Sequence, residues 1–194
     1  MRAFLSVLLA VLAITAAAPA AHSAEVGPAT TWTVAPGGAA IVTVPTFILT
    51  GARTGATFVC SGSVSGAFPV GSGLGSRLFH NIYVTSRCNG PLGVTCEIVS
   101  AAPAYFTAIS YLNGRTFGRL FNVTFRCTGQ FCSFTATGTL DADYENASAT
   151  FRILTTVPLT ITAITGCYGF LNPGDPLTPS LAGAVNPRQV ITSP

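Results

Sequence analysis

Apolar and polar residues alternate with a period of two along the centre of the chain. In Phe117–Cys127, one face would carry Phe117, Arg119, Phe121, Val123, Phe125 and Cys127, and the intervening residues would form the other face. A second run of strand-forming residues, 133–140, follows a short link that contains Gly129. Two such runs joined by a short glycine-containing link predict a β-hairpin.

Short runs of this kind recur along the rest of the chain, with Gly or Pro between them. They cover residues 31–34, 40–50, 56–60, 77–87, 94–100, 104–112, 151–156 and 159–165. Asn113-Gly114 is a strong hairpin signal, and Pro45 marks an edge position or a bulge. No segment of useful length after the first 24 residues shows helical periodicity. We therefore predict an all-β protein, either an antiparallel β-sandwich or a partly closed barrel.

Residues 1–24 have the organisation of a secretory signal peptide. A charged start with Arg2 precedes an apolar run, Phe4–Ala18, and a region of small residues. The junction between Ser23 and Glu25 offers two cleavage sites. No later stretch contains eighteen unbroken apolar residues, so the mature chain carries no predicted transmembrane anchor. The sequence therefore predicts a secreted protein, located outside the cell or in the cell envelope.

The mature chain has the length of one domain. We assign residues 25–170 to a single β-rich domain. Residues 171–194 contain several prolines and predict a C-terminal tail that packs on this domain, in which 189–191 could add a short strand. Residues 70–75 predict a loop, and residues 141–146 predict a turn or a polar-edged strand.

Charged residues are scarce, at 8% of the chain, and every basic side chain is an arginine. Without Arg2, eight arginines and six acidic residues give the mature chain a net charge of +2. The arginines are scattered along the sequence, whereas nucleic-acid binding requires a clustered basic face. Composition therefore argues against a nucleic-acid partner.

The six cysteines lie at Cys60, Cys88, Cys96, Cys127, Cys132 and Cys167. An even number in an exported chain predicts disulfides that link the β-domain. The mature chain has a single histidine and no Cys-x-x-Cys motif, which disfavours a zinc site. Fifteen pairings are possible. We expect two local pairs, Cys88–Cys96 and Cys127–Cys132, and one long-range pair, Cys60–Cys167.

Several short motifs are shared with a known group of proteins. They are Cys60-Ser61-Gly62, Phe125-Arg126-Cys127, Gly138-Thr139-Leu140, Tyr144-Glu145-Asn146, Gly166-Cys167-Tyr168-Gly169, Pro173-Gly174-Asp175 and Pro187-Arg188-Gln189-Val190-Ile191-Thr192. With these motifs, an alanine-rich leader and no lysine, the chain resembles small secreted, cysteine-containing β-rich proteins of actinobacteria that have no assigned function. The resemblance implies an exported β-rich domain and implies no activity.

No residue set in the sequence predicts catalysis, cofactor binding or a metal site. His80 is the only histidine of the mature chain, and its strand context favours a structural or surface role. Asp141, Asp143 and Glu145 alternate and could share one face of a strand. They could hold Ca²⁺ or act as a glycosidase pair, although the glycine and distant glutamate of an EF-hand are missing. A solvated turn or strand edge is the favoured interpretation.

Eight aromatic residues have two open interpretations. They are Tyr105, Phe106, Tyr111, Phe117, Phe121, Phe125, Phe131 and Phe134. They could form an aromatic core, or some of them could form an exposed ligand-binding patch. The sequence does not distinguish between these arrangements.

Three hypotheses for function follow. The first is a secreted, non-catalytic binding or structural module, whose partner could be a cell-wall glycan or another secreted protein. The second is a secreted hydrolase with unidentified acidic catalytic residues, for which two carboxylates with shifted pKa values in one cleft would be the sign. The third is a membrane-associated β-barrel, which the cysteines and the lack of regular ten-residue alternating segments disfavour.

Overall fold

The computed structural model describes residues 31–91, 95–99, 103–154 and 156–194, with the side chains of 95–99 outside the description. The predicted signal peptide also lies outside the described residues. The described residues form thirteen β-strands and one short helical turn, Cys167–Gly169. The strands are β1 (Trp32–Ala35), β2 (Gly38–Gly51), β3 (Thr57–Phe68), β4 (Gly71–Leu74), β5 (Arg77–Asn89), β6 (Thr95–Val99), β7 (Ala104–Leu112), β8 (Arg115–Thr128), β9 (Cys132–Glu145), β10 (Thr150–Ile153), β11 (Leu159–Gly166), β12 (Pro176–Asn186) and β13 (Val190–Thr192). The all-β prediction is confirmed.

Ten of these strands close into an antiparallel barrel with eight positions around its wall. Around the wall, the order is β2, β3, β5, then β6 and β7 together, β8, β9, then β10 and β11 together, and finally β12. The barrel closes because β12 pairs with β2. Two positions each hold two short strands, because β6 and β7 both lie between β5 and β8, and β10 and β11 both lie between β9 and β12. The fold is therefore a closed barrel. Of the two architectures expected from the sequence, the sandwich is not confirmed, and the partly closed barrel is the nearer description.

The interior of the barrel is packed with apolar and aromatic side chains. Phe68 and Phe79 stack with their centroids 4.4 Å apart. Phe106 meets Phe151 edge to face at 5.4 Å. Such pairs each add about 0.5–1.5 kcal/mol beyond the burial of their area. The interior is thus a packed core.

A bulge interrupts the regular alternation that the sequence suggested for β8. The register against β9 shifts between Leu120 and Val123. Asn122, inside this bulge, has a φ of 56°. Before the bulge, Phe117 and the two flanking arginines face outward; after it, the odd-numbered residues Val123 and Phe125 face the core. The expected single face from residue 117 to residue 127 is therefore wrong.

A second bulge supports the interpretation of Pro45. The register between β2 and β3 shifts between Val44 and Phe47, where Pro45 lies. Proline has no backbone N–H to give to the ladder, so it fits at a bulge in a strand that is paired on both sides. Of the two alternatives for Pro45, the bulge is the one confirmed.

A three-stranded sheet, in the order β13, β1 and β4, lies at the end of the barrel where β2 begins and β9 ends, which we call the lower end. The Tyr144 hydroxyl donates to the carbonyl oxygen of Gln189 at 2.7 Å. The Asn146 amide donates to the carbonyl oxygen of Ile191 at 2.6 Å and accepts from its backbone N–H at 2.9 Å. Side-chain hydrogen bonds therefore attach this sheet to the barrel.

Two segments differ from their sequence-based expectation. Residues 71–74 form β4, although residues 70–75 were expected to be a loop. Pro176–Asn186 form β12, a strand of the barrel wall, instead of a tail on the surface. The strand β13 at 190–192 agrees with the suggested short strand near the C-terminus.

The disulfides join segments at the opposite, upper end of the barrel, and their pairing corrects the expectation. Cys60 is bonded to Cys88, its direct cross-strand partner on β5. Cys132 is bonded to Cys167, and Cys127 is also disulfide-bonded. The expected pairs Cys88–Cys96, Cys127–Cys132 and Cys60–Cys167 are therefore wrong. The side chain of Cys96 lies outside the described part of the chain.

Strand register explains the failure of the local pairing. In the β8–β9 hairpin, Cys127 lies opposite Phe134 and not opposite Cys132. Cys132 begins β9, whereas Cys167 directly follows the end of β11, the neighbour of β9. Pairing Cys127 with Cys132 by their proximity in sequence was therefore wrong, because Cys167 is the cysteine next to Cys132 in space.

Candidate binding surface

The barrel interior leaves little room for a ligand. Residues of six strands surround one cavity of about 30 Å³, and almost all of its lining is apolar. A cavity of roughly 150 Å³ is the size that accommodates benzene in a protein core. Among the described residues, the grooves large enough to hold part of a ligand lie on the outside of the barrel.

The three alternating carboxylates lie on the outer face of β9, and each is opposite an arginine. Glu145 Oε1 lies 2.9 Å from Arg115 Nη2. Asp141 Oδ1 lies 3.3 Å from Arg119 Nε, and Asp143 Oδ1 lies 2.8 Å from Arg152 Nε. The two residues of each pair lie directly opposite each other on neighbouring strands. Opposite charges in this cross-strand position stabilise a sheet.

This arrangement corrects the favoured interpretation of the segment. The strand β9 is paired with β8, β10 and β11, so Asp141–Glu145 is neither a turn nor a free edge. The carboxylates are turned towards guanidinium groups, whereas Ca²⁺ requires six to eight oxygen ligands. Across the described residues, no group of three or more His, Cys, Asp or Glu side chains is placed to hold a metal ion.

The electrostatics of this face favour the ionised form of Glu145. The hydrogen bond from Arg115, with a second from Ser148, holds the pKa of Glu145 below its ordinary value. The same bond to Glu145 raises the pKa of Arg115. A glycosidase needs a carboxylic acid with a raised pKa to protonate the leaving group. The pKa of Glu145 is lowered instead, so Glu145 lacks the property that a glycosidase acid needs.

His80 lies on β5, opposite Ala67, and is partly buried. In the part of the chain that the structure describes, its side chain makes no hydrogen bond or ion pair with a carboxylate. The structure therefore brings no triad together around this histidine.

The structure sorts the eight aromatic residues into three groups. Phe106, Phe125 and Phe134 are buried in the barrel. The half-buried group consists of Tyr105, Tyr111, Phe117 and Phe121. Phe131 is exposed by 48% at the upper end. The core interpretation is confirmed for Phe106, Phe125 and Phe134, whereas a ligand-binding patch formed by the more exposed members stays a prediction.

An aromatic and basic surface covers the outer face of β7 and β8. The rings of Tyr105 and Phe121 stack with centroids 5.4 Å apart. The guanidinium of Arg77 lies 3.9 Å from the centre of the Tyr105 ring, in cation–π geometry. Ile109 and Leu112 of β7 are each exposed by 45%. This face thus combines apolar contact area with positive charge.

A groove of about 230 Å³ lies at the lower end of this face. We call it the lower groove; its lining comprises Leu112, Asn113, Arg115, Phe117 and Glu145. The Asn113-Gly114 turn positions one side of it, with φ values of 51° and 79° that are typical of the hairpin turn predicted from sequence. The groove places an aromatic ring beside an amide and an ion pair.

The fold and this surface define a class of protein: a disulfide-linked, closed β-barrel with an aromatic and basic outer face. The chain matches no protein-family model, no curated protein sequence and no solved structure. Over the described residues, no helix has the length and apolar character needed to cross a membrane.

Proposed function

We propose that the protein is a secreted, non-catalytic binding module that holds a glycan on the outer face of β7 and β8. The observation that carries the proposal is the lower groove, where the Phe117 ring lies beside the Asn113 amide and the Arg115–Glu145 ion pair. The signal-peptide pattern and the disulfides support an extracellular location.

The groove has the two kinds of group that a sugar ring requires. A pyranose has an apolar C–H face, which can pack on an aromatic ring, and hydroxyl groups around its edge. The Asn113 amide both donates and accepts hydrogen bonds, while the Arg115 guanidinium donates and the Glu145 carboxylate accepts. A few polar groups placed around an apolar surface are typical of small-molecule sites.

A second secreted protein is the alternative partner. Exposed Ile109 and Leu112 next to the groove favour it, because apolar surface beside aromatic and arginine side chains is common in protein interfaces. The two proposals differ in their test, since only a glycan would bind in the absence of any other protein.

The test is binding of the purified mature protein to insoluble chitin, cellulose and peptidoglycan, followed by titration with soluble fragments of the glycan that binds. We expect Phe117→Ala to weaken binding about five- to tenfold, the usual size of the loss when a central aromatic contact is removed. Asn113→Gly should also weaken binding, because glycine keeps the positive φ of the turn and removes only the amide.

Tyr83→Ala is the matched control, since Tyr83 is an exposed aromatic residue on β5 outside the lower groove. Circular dichroism would establish that each variant is folded. The proposal is overturned if no glycan binds, or if Phe117→Ala and Tyr83→Ala bind as tightly as the wild type.

A further inference from the structure

A second groove, of about 260 Å³, lies on the outer wall at the upper end of the same strands. We call it the upper groove. Its polar lining residues are Arg126, Thr128, Ser133, Thr135 and Thr165, from β8, β9 and β11. Hydroxyl groups and one guanidinium therefore surround this groove, and no carboxylate is among its described lining residues.

Arg126 differs from Arg115 and Arg119 of the same strand, which are each paired with a carboxylate of β9. Arg115 and Arg119 lie opposite acidic residues of the lower half of β9, whereas Arg126 lies opposite Thr135 in its upper half. Among the side chains that the structure describes, no carboxylate lies within ion-pair distance of Arg126. A guanidinium with no carboxylate partner among the described side chains therefore lines the upper groove.

Two exposed aromatic residues lie at the same end of the barrel. Phe131 is exposed by 48% and Tyr168 by 74%. The Cys132–Cys167 disulfide joins their two segments, and the Cys167 N–H donates to the carbonyl oxygen of Phe131 at 2.9 Å. Tyr168 has a φ of 42°, which is unfavourable for an aromatic residue. Strained residues of this kind are enriched at binding sites.

The two grooves lie along the same pair of strands. Phe117 lines the lower groove and Arg126 lines the upper one, nine residues further along β8. The bulge adds one residue to β8, so the same span on β9 covers eight residues, from Asp143 to Thr135. At roughly 3.3 Å per residue this is about 26 Å, which is the reach of a polymer and not of a single sugar. Between them, Thr124 of β8 lies opposite Thr137 of β9.

We propose that the upper groove binds an anionic group of the same ligand, so that the ligand is an acidic polysaccharide that runs along β8. This inference rests on the proposed glycan-binding function. The Arg126 guanidinium would donate paired N–H groups to the oxygens of a carboxylate, sulfate or phosphate, and the surrounding hydroxyls would donate to the remaining oxygens. Phe131 and Tyr168, which are exposed at the same end of the barrel, would contact the adjacent sugar.

The test compares two polymers with the same backbone, polygalacturonate and its fully methyl-esterified form, which has no charge. We expect the wild type to prefer polygalacturonate, with a preference that decreases as salt is added. Arg126→Gln should weaken binding of polygalacturonate about three- to fivefold, as expected for one exposed ion pair. It should leave the binding of the esterified polymer unchanged.

Arg188→Gln is the matched control, because Arg188 is exposed at the lower end and is outside both grooves. The inference is overturned if both polymers bind equally, or if Arg126→Gln and Arg188→Gln have the same effect. Dextran sulfate and poly(glycerol phosphate) form two further arms, and the polymer with the greatest dependence on Arg126 identifies the anionic group.

The design separates the two proposals. If Phe117→Ala weakens the binding of both polymers while Arg126→Gln weakens neither, the glycan-binding function is supported and the acidic ligand is overturned. If Arg126→Gln weakens polygalacturonate binding while Phe117→Ala has no effect, anion binding at the upper groove is supported and glycan binding at the lower groove is overturned. If none of the polymers or insoluble glycans binds, the glycan-binding function fails.

Discussion

Two ionised carboxylates at opposite ends of the barrel link the stability of the fold to pH. Arg115 holds the pKa of Glu145 below its ordinary value through a hydrogen bond. Burial alone would raise the pKa of Asp175, but hydrogen bonds from Asn172 and Arg53 outweigh burial and lower it. Both groups therefore bind protons more weakly in the folded chain than in the unfolded chain.

This difference determines the direction of the pH dependence. Because the unfolded chain binds more protons, the free energy of unfolding falls as the pH drops. We expect the contribution of these groups to be complete above about pH 5, to begin to fall near the ordinary carboxyl pKa values, and to be lost once the pH has dropped below the lowered pKa values of the folded chain. The double variant E145Q/D175N should be less stable at neutral pH and lose less on acidification.

Urea denaturation between neutral and acidic pH, at constant ionic strength, measures both effects. Parallel stability profiles for the wild type and the double variant would contradict the assignment of lowered pKa values to Glu145 and Asp175.

At the scale of the element, the bulge of β8 determines which side chains reach the outer surface. Asn122 adopts a φ of 56° at this bulge. Asparagine tolerates this left-handed conformation, whereas a β-branched residue does not. Without the extra residue, the outward row of Arg115, Phe117 and Arg119 would continue with the residues that now fill the core.

We expect Asn122→Val to lower the free energy of unfolding by roughly 1–2 kcal/mol, the cost of placing an ordinary side chain in the left-handed region. Asn122→Gly should stay within about 0.5 kcal/mol of the wild type, because glycine adopts this conformation freely. Urea denaturation compares the two variants. Equal losses in both would indicate that the side-chain contacts of Asn122, and not its backbone conformation, stabilise the bulge.

The bulge also shows how far the sequence predicts this fold. Alternation identified most strands, although not β4 or β12, and Asn113-Gly114 identified its hairpin. Pro45 indicated an edge position or a bulge, because each of these signals is local. The β8 bulge depends on register against β9, which the alternation of one strand does not contain. The β8–β9 hairpin was predicted correctly, yet the expectation that Phe117 and Phe125 share one face was wrong.

The candidate surface was predictable to the same extent. The aromatic residues and the acidic triplet were identified from the sequence, but their partners were not. Arg115, Arg119 and Arg152 meet β9 from two neighbouring strands, so their ion pairs required the order of strands in the barrel. The prediction of the disulfide pairing failed for a similar reason, because Cys132 and Cys167 become neighbours only when β9 pairs with β11.

At the scale of the whole molecule, the two ends of the barrel are held by different means. Hydrogen bonds from Tyr144 and Asn146 attach the three-stranded sheet at the lower end. Disulfides Cys60–Cys88 and Cys132–Cys167 lie at the upper end, beside the loops between strands. Resistance to unfolding at the upper end should therefore depend on redox conditions.

We expect the double variant C132S/C167S to lose about 3–4 kcal/mol of stability, because the disulfide closes a loop of 35 residues in the unfolded chain. Urea denaturation of the variant and the wild type without reductant measures the loss. Peptide mapping of the wild type under non-reducing conditions should recover Cys60 with Cys88 and Cys132 with Cys167. Equal stability of the variant and the wild type would show that the Cys132–Cys167 bond does not constrain the chain.

The wall of the barrel closes where the first long strand meets the last. Gly51 of β2 pairs with Leu177 of β12, and Ile41 pairs with Asn186. Contacts so distant in sequence form late, because most of the chain must be ordered before they stabilise it. A growing or translocating chain therefore cannot complete the barrel until β12 has emerged. A chain that cannot close its barrel early remains unfolded for longer. An unfolded chain is what export through a membrane, as predicted from the leader, requires.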